Sequence, residues 1–376
     1  MPLDPDIRWI DTPDALDAAC AELAKADVLA MDTEFFREST FHPVPALVQL
    51  YAGGAVYLID PQAVVATPAL RSLLAEGPLK ILHASSEDLE VVAAWAGVAV
   101  SPLVDTQIGQ ALLGEDPAMG YQRLVEHWTG ETLPKEETRS DWLERPLSEA
   151  QRRYAALDVV YLLQVWHTQR DALDAQGRLA WLRADCDELQ AQTVRNSDSD
   201  EQWYRRHRQL WRLEPRQIEA YRRLTAWREA EARRRNRPRG WLINDKLLYA
   251  IAERMPENRY ELATIEGLKP AVIKREGDML LTLVRQARHL DADELPGSLP
   301  SPLSGPFKKR LKALKRVVNH EAEQLGVAPE LLLRRRELEA MVAAHLECRD
   351  LPLPSGWRGE RLSTSLQEAL DQVEAS

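Results

Sequence analysis

The stretch Val28-Leu29-Ala30-Met31-Asp32-Thr33-Glu34-Phe35 decides how this chain is read. Four apolar residues in a row, preceded by a helix-like segment from Ala15 to Lys25, predict a buried strand that runs directly into two acids. Strand alternation puts Asp32 and Glu34 on one face. Carboxylates sharing a desolvated face repel one another, so either a proton is taken up or cations neutralise them. Alone, the tripeptide also describes a strand emerging into solvent.

Two further acidic clusters are spaced to join the first. Pro78 to His83 reads as another strand, followed by Ser85-Ser86-Glu87-Asp88 and an amphipathic helix through Leu89, Val91, Val92, Ala94 and Trp95. Asp88 then falls in a helical first turn, where the dipole favours an acid and Ser85 resembles its capping partner, a local role that needs no chemistry. Ser148-Glu149-Ala150-Gln151 is a capping-box-like start for a helix running to about Gln169. Within it Tyr154 and Asp158, four residues apart, share a face beside the apolar stripe of Ala155, Val159, Leu162, Leu163 and Trp166. A tyrosine one turn before a metal-binding acid is placed to orient water, and a tyrosine packed at a core edge gives the same pattern.

In this order and with these neighbours, the residues resemble the DEDD exonuclease superfamily in its tyrosine-containing branch, and within it the ribonuclease D family. The first motif is Asp32-Thr33-Glu34-Phe35, with Val48-Gln49-Leu50-Tyr51 and Leu58-Ile59-Asp60-Pro61 behind it. The second is His83-Ala84-Ser85-Ser86-Glu87-Asp88-Leu89 and the third Tyr154-Ala155-Ala156-Leu157-Asp158. Val104-Asp105-Thr106-Gln107, Ser140-Asp141-Trp142 and Arg145-Pro146-Leu147 add to the likeness.

The resemblance implies an α/β RNase H-like mixed-sheet exonuclease domain followed by two small all-α helical bundles. The first five strands are expected near residues 28–32, 46–51, 55–60, 80–83 and 102–105. It implies a 3′-5′ exoribonuclease that releases nucleoside 5′-monophosphates by two-metal-ion hydrolysis. Asp32 would bridge both metals, Glu34 and Asp158 would help hold the one that activates water, Asp88 would support the second through its water shell, and Tyr154 would position the attacking water. Mg²⁺ suits an oxygen-only ligand set, Mn²⁺ is an acceptable substitute, and no Cys/His cluster with zinc spacing exists. One departure is Ala84, where many superfamily members carry Asn after the motif-two His. Asp105 is a competing fourth acid, although it also suits the N-cap of a helix from Thr106 to Leu113.

The chain has 376 residues, 45% of them hydrophobic, enough for two or three domains with conventional cores. No apolar stretch approaches the ~20 residues of a membrane span, and Met1-Pro2-Leu3-Asp4 lacks a basic, apolar signal sequence. Cys20, Cys186 and Cys348 are scattered, which fits a reduced compartment without disulfides. A cytoplasmic protein without membrane partners, acting as a monomer, is expected.

A net charge of −11 is unusual for a nucleic-acid enzyme until it is divided along the chain. Residues 1–200 hold 15 basic and 33 acidic side chains, residues 201–290 hold 21 and 12, and residues 291–376 hold 12 and 14. An acidic catalytic unit is thus followed by a basic one suited to hold a polyanion. The polar run Asn196 to Asp200 and the Pro/Gly/Ser-rich run Leu295 to Pro302 are candidate boundaries. Gly240 to Leu248, with Leu262 to Leu268, resembles the helicase-and-RNase-D C-terminal (HRDC) domain, and the family resemblance implies an exonuclease domain 1–200, a first HRDC helical domain 201–292 and a second, diverged HRDC-like domain 303–376. Helices are expected over Pro215 to Asn236, Asp245 to Arg254, Tyr260 to Glu266, Pro270 to Leu290 and a basic-faced Phe307 to Leu325.

Arg233, Arg234, Arg235, Arg237 and Arg239 form the densest positive run, read either as phosphate contacts or as a solvated helix end. Trp203, Trp211, Trp227 and Trp241 have the aromatic surface to stack bases, but their helical spacing favours core positions for most. The expected substrate is RNA with a free 3′ end, tRNA precursors or other small structured RNAs. A DNA 3′-5′ exonuclease and a catalytically silent RNA-binding scaffold are the competing accounts. Removing residues 201–376 is expected to weaken RNA binding while sparing slow cleavage of short oligonucleotides.

Overall fold

The computed structural model describes residues 4–133, 140–198 and 200–374. Its apolar stretches build a six-stranded mixed sheet from β1 (Ile7–Ile10), β2 (Val28–Phe36), β3 (Val44–Tyr51), β4 (Val56–Ile59), β5 (Leu79–Leu82) and β6 (Leu103–Asp105), in the order β1-β4-β3-β2-β5-β6. β2, β3 and β4 form an antiparallel meander; β1 joins β4, β5 joins β2 and β6 joins β5, each in parallel. The five expected strands are all present. β1 is an additional one, because four residues reading Ile-Arg-Trp-Ile give too short an alternation to stand out. β2 also runs on past Asp32 to Phe36, with a register shift between Glu34 and Phe35 that bends the strand beside its acids.

Seven helices accompany the sheet: α1 (Pro13–Leu23), α2 (Pro68–Ala75), α3 (Ser86–Ala96), α4 (Thr106–Leu112), α5 (Tyr121–Thr129), α6 (Glu149–Ala175) and α7 (Leu179–Asp198). The capping box at α6 is complete, with Gln151 N donating to Ser148 Oγ (3.1 Å) and Ser148 N donating to Gln151 Oε1 (2.9 Å). α6 continues past the expected Gln169 to Ala175, and it packs along β2, β3 and β4 through a face that includes Ala155, Val159, Leu162 and Trp166. Buried Asp60, at the end of β4, receives Arg145 Nε and Nη2 (both 2.8 Å), and Nη2 also reaches the Ala46 carbonyl (2.6 Å). This ties the segment leading into α6 to the sheet, so the position of Tyr154 and Asp158 is fixed from two sides.

The remainder is helical: α8 (Pro215–Arg234), α9 (Arg239–Leu242), α10 (Asp245–Arg254), α11 (Arg259–Ala263), α12 (Pro270–Arg288), α13 (Gly305–Leu325), α14 (Pro329–Leu332), α15 (Arg335–Leu346) and α16 (Gly356–Glu374). The expected helices recur within a few residues, and the short α9 falls in a stretch read only as connection. The run Asn196 to Asp200 is no open linker, since α7 extends to Asp198 and a 3₁₀ turn spans Asp200–Arg206; Ser199 lies outside the described residues.

Packing divides the helices differently from their sequence order. α8 to α12 enclose their own core, with Ile218, Tyr221, Leu224, Leu248, Leu262, Leu280 and Val284 at its centre. α13 to α16 instead contribute Phe307, Leu314, Val318, Leu362, Leu366 and Leu370 to one core continuous with the sheet. Trp181 of α7 stacks on Trp357 of α16 at 4.3 Å, Arg358 Nη2 pairs with Asp185 Oδ2 at 2.8 Å, and Arg178 Nη2 donates to the Leu325 carbonyl at 2.6 Å. Deleting residues 201–376 therefore opens the catalytic core, and the oligonucleotide test expected from the sequence does not isolate binding. The α8 to α12 bundle is held more lightly: Phe41 packs on Ala232 and Leu242, and Asn236 Oδ1 accepts from Phe41 N (3.0 Å) and His42 N (3.1 Å).

Candidate active site

Sheet pairing creates the room that the acids occupy. β5 pairs only with Val28–Ala30, so the edge of β2 beyond Ala30 is open where Asp32, Thr33 and Glu34 follow. α3 starts just after β5 and brings Asp88 into that opening, while α6 brings Tyr154 and Asp158 across the other face. Together they line a pocket of about 240 Å³ that includes His83, Glu87, Tyr121 and Leu162, and among the described residues no lysine or arginine stands in its wall.

Carboxylate oxygens of Asp32, Glu34 and Asp158 all lie within 4.8 Å of one another. Asp88 stands beside this group and is held by Thr33, whose hydroxyl donates to Asp88 Oδ1 at 2.5 Å in a buried bond. Thr33 lines the same pocket as its two neighbours, so one tripeptide supplies two acids and the clamp for a third.

Local explanations for the second cluster give way to different partners. Ser85 occupies the N-cap position of α3 but makes no cap bond; its hydroxyl donates to Asp105 Oδ2 at 2.9 Å. Asp105 also accepts from the amides of Ala84 (3.0 Å), Ser85 (2.8 Å) and Gln107 (2.8 Å), the last as N-cap of α4. Its carboxylate is thus filled by backbone and hydroxyl donors, in keeping with the capping role. Ala84, the position that departs from the superfamily pattern, sits at φ 54°, a left-handed conformation that Asn tolerates better than Ala.

Burial and mutual repulsion act together on the acids. Desolvation pushes Asp32 up to about 6, partly offset by the Thr33 amide. Desolvation with the charges of Asp32 and Asp88 pushes Glu34 to about 9. Asp88 and Asp158 are driven well above the carboxylate range, first by burial and then by Asp32, with Thr33 and the Tyr154 hydroxyl respectively opposing the shift. Half-buried Tyr154 is itself raised by burial and then by Asp158, Glu34 and Asp32. A crowded, desolvated donor set made only of oxygens, with no cationic side chain beside it among the described residues, fits divalent cations.

Three residues lining this site have weak sequence signals. Thr33 was read only as the spacer between two acids, and His83 only as part of a motif. His83 is held between the Thr106 hydroxyl and the Met119 carbonyl, each at 3.0 Å, and burial lowers its pKa. Tyr121 opens α5 and its hydroxyl donates to the Asp158 backbone carbonyl, though from the sequence it is one more aromatic at a helix start.

Next to the pocket lies a larger cleft of about 830 Å³, and Glu87 belongs to both walls. Arg37, Phe41 and His42 line it from the catalytic side, Trp203, Arg206, Arg233 and Arg239 from the helical side. Arg239 lies over both Phe41 (4.6 Å) and Trp203 (4.1 Å), Arg233 over Phe41 (5.3 Å) and Arg206 over Trp203 (3.8 Å). The arginine run expected to meet phosphate is therefore split. Arg233 and Arg239 reach the cleft, Arg239 while paired with Glu229 at 2.5 Å; Arg234 and Arg235 are ion-paired with Glu231, Arg235 also with Glu276, and Arg237 lies over exposed Trp241.

An RNase H-like mixed sheet with this cluster of acids and a tyrosine defines a metal-dependent DEDD-type 3′-5′ exonuclease. The 3′-5′ exonuclease family profile matches residues 7–174, and the HRDC domain profile matches residues 217–284. Ribonuclease D of Pseudomonas paraeruginosa is 43% identical, covering 98% of this chain and 99% of its own, and that of Escherichia coli is 35% identical over 97% and 98%. The crystal structure of Escherichia coli RNase D, described as an exoribonuclease involved in structured RNA processing, superposes with a TM-score of 0.89 at 33% identity, covering 98% of this chain and 99% of that one. The chain belongs to the ribonuclease D family, and it is a hydrolytic 3′-5′ exoribonuclease.

Proposed function

We propose that this chain trims the 3′ ends of tRNA precursors or other small structured RNAs, with Asp32, Glu34, Asp88, Tyr154 and Asp158 as its working residues. The observation that carries the site assignment is the convergence of carboxylate oxygens of Asp32, Glu34 and Asp158 within 4.8 Å of one another in one pocket. Asp32, Glu34 and Asp158 would hold the divalent cations, with Asp88 supporting them from beside the cluster. Magnesium or manganese suits this set, because its donors are all oxygen. Two such ions supply charge neutralisation for the attacking and leaving oxygens of an in-line displacement at phosphorus.

The chain's own residues do the rest. Tyr154, one turn before Asp158, aligns the attacking water by hydrogen bonding. Thr33 keeps the Asp88 carboxylate turned toward the site. The arginine-lined cleft that shares Glu87 with the pocket leads a single-stranded 3′ tail to the acids by phosphate contacts that read no sequence. Residues 1–200 cut, and residues 201–292 and 303–376 hold the RNA as two helical units, the second built into the catalytic core.

No described helix is long and apolar enough to cross a membrane. Cys20 and Cys186 are buried free thiols and Cys348 is an exposed one, which supports work in the reducing cytoplasm.

The test is direct. Asp32→Ala and Asp158→Ala each lower Mg²⁺-dependent release of nucleoside 5′-monophosphates by about 10³-fold or more, the scale expected when a transition-state stabiliser is lost. Monophosphate release at the wild-type rate from either variant would dismiss the assignment. Matched RNA and DNA strands with a common 3′ tail measure the sugar preference alongside.

A further inference from the structure

The helical arginines and lysines of this chain are treated in two different ways. In α8, Glu219 is paired with Arg222 and Arg223 and Glu231 with Arg234 and Arg235, each acid three or four residues before its cations. α13 carries Lys308, Lys309, Arg310, Lys312, Lys315 and Arg316 within three turns, and no acid precedes Glu321. Lys308, Lys312, Lys315 and Arg316 are exposed, and among the described residues none has an ion-pair partner.

Intrahelical energetics work against this arrangement. Lys308 and Lys312, then Lys312 and Arg316, are like charges at i, i+4, which destabilises a helix. The cations crowd the N-terminal half and the acids Glu321 and Glu323 the C-terminal end, opposite to what the helix dipole favours. The other face of the helix, Phe307, Leu314, Val318 and Ala322, is buried in the core that includes the sheet. The stripe is therefore carried rigidly by the catalytic body.

We propose that the exposed face of α13 made by Lys308, Lys312, Lys315 and Arg316 is a docking surface for the phosphate backbone of the double-stranded body of the RNA substrate. The proposal deepens the reading of a structured substrate and rests on it. Charge complementarity selects the occupant: the reaction brings a polyanion to this chain, and Lys308, Lys312 and Arg316 at about 6 Å steps along a helix, with Lys315 between the last two, match a repeating line of phosphates rather than a single anion. The arginine-lined cleft takes the tail, and α13 takes the stem.

The experiment compares the full chain with the variant carrying Lys308→Ala, Lys312→Ala, Lys315→Ala and Arg316→Ala. Alanine removes repulsion and favours helix, so the thermal midpoint stays level or rises. The probes are an RNA hairpin with a short 3′ tail and the tail strand alone, both with magnesium. The variant should raise KM for the hairpin about tenfold or more, leave kcat and the KM for the free tail unchanged, and flatten the salt dependence of hairpin binding by at least about two contacts. Unchanged hairpin kinetics, or equal loss on both probes, overturns the stem contact. Loss of binding to phosphatidylserine vesicles with hairpin kinetics intact overturns the choice of RNA. A wild-type chain that handles hairpin and free tail with equal KM removes the structured-substrate reading and the role of α13 together.

Discussion

Thr33 shows how much one side chain decides at the residue scale. Its hydroxyl donates to the buried Asp88 carboxylate, whose pKa is raised by burial and then by the charges of Asp32 and Asp105. Thr33→Val keeps the shape and removes the donor, which costs about 1–3 kcal/mol for a buried acceptor left unpaired. It also removes an interaction that lowers the Asp88 pKa, so the acid limb of the pH profile of kcat/KM should move to higher pH. A packing role alone would lower thermal stability without moving that limb, and a profile superposable on wild type would contradict the clamp. Sequence made Asp32, Glu34, Tyr154 and Asp158 legible because their spacing follows strand and helix periods. Thr33 and Tyr121 were not legible, since their partners are 55 and 37 residues away.

At the scale of elements, motif and period carried the reading as far as local structure determines it. The five expected strands and the helices of the basic unit recur because each is bounded by Pro, Gly or a capping residue. β1 escaped because a four-residue strand has too little pattern, and α6 outran its predicted end because Arg170, Asp171 and Asp174 look polar while Leu173 still meets the core. Ser85 looked like a cap and is instead a donor to Asp105, a choice set by the neighbouring strand β6 rather than by its own segment. Distant partners divide the arginine run in the same way. Glu229, Glu231 and Glu276 reach into it, and the third comes from a helix 41 residues from Arg235.

The whole molecule joins acid chemistry to stability. Asp32 at about 6 and Glu34 at about 9 bind protons more tightly folded than unfolded, where carboxylates titrate near 4. A metal-free folded state that holds more protons loses stability as pH rises, here from about 4 up through the folded values. Divalent cations replace those protons. The Tm gained on adding Mg²⁺ should therefore grow from about pH 6 to about pH 9, by scanning calorimetry at fixed ionic strength. A gain that shrinks over that range would mean the acids are not the cation site. The Pro-rich run before residue 303 marks a boundary in the sequence, and what it does not show is that the apolar faces of α13 and α16 share one core with the sheet, because those contacts are long-range.

The central claim is that Asp32, Glu34 and Asp158 are aimed at divalent cations that serve phosphodiester hydrolysis. Anomalous diffraction from crystals soaked in Mn²⁺ with a nucleoside 5′-monophosphate tests it most directly. The account predicts manganese peaks bounded by these three carboxylates, with the nucleotide phosphate against them and the Tyr154 hydroxyl facing the phosphorus. Manganese bound elsewhere, with these carboxylates touching neither metal nor phosphate, would contradict it.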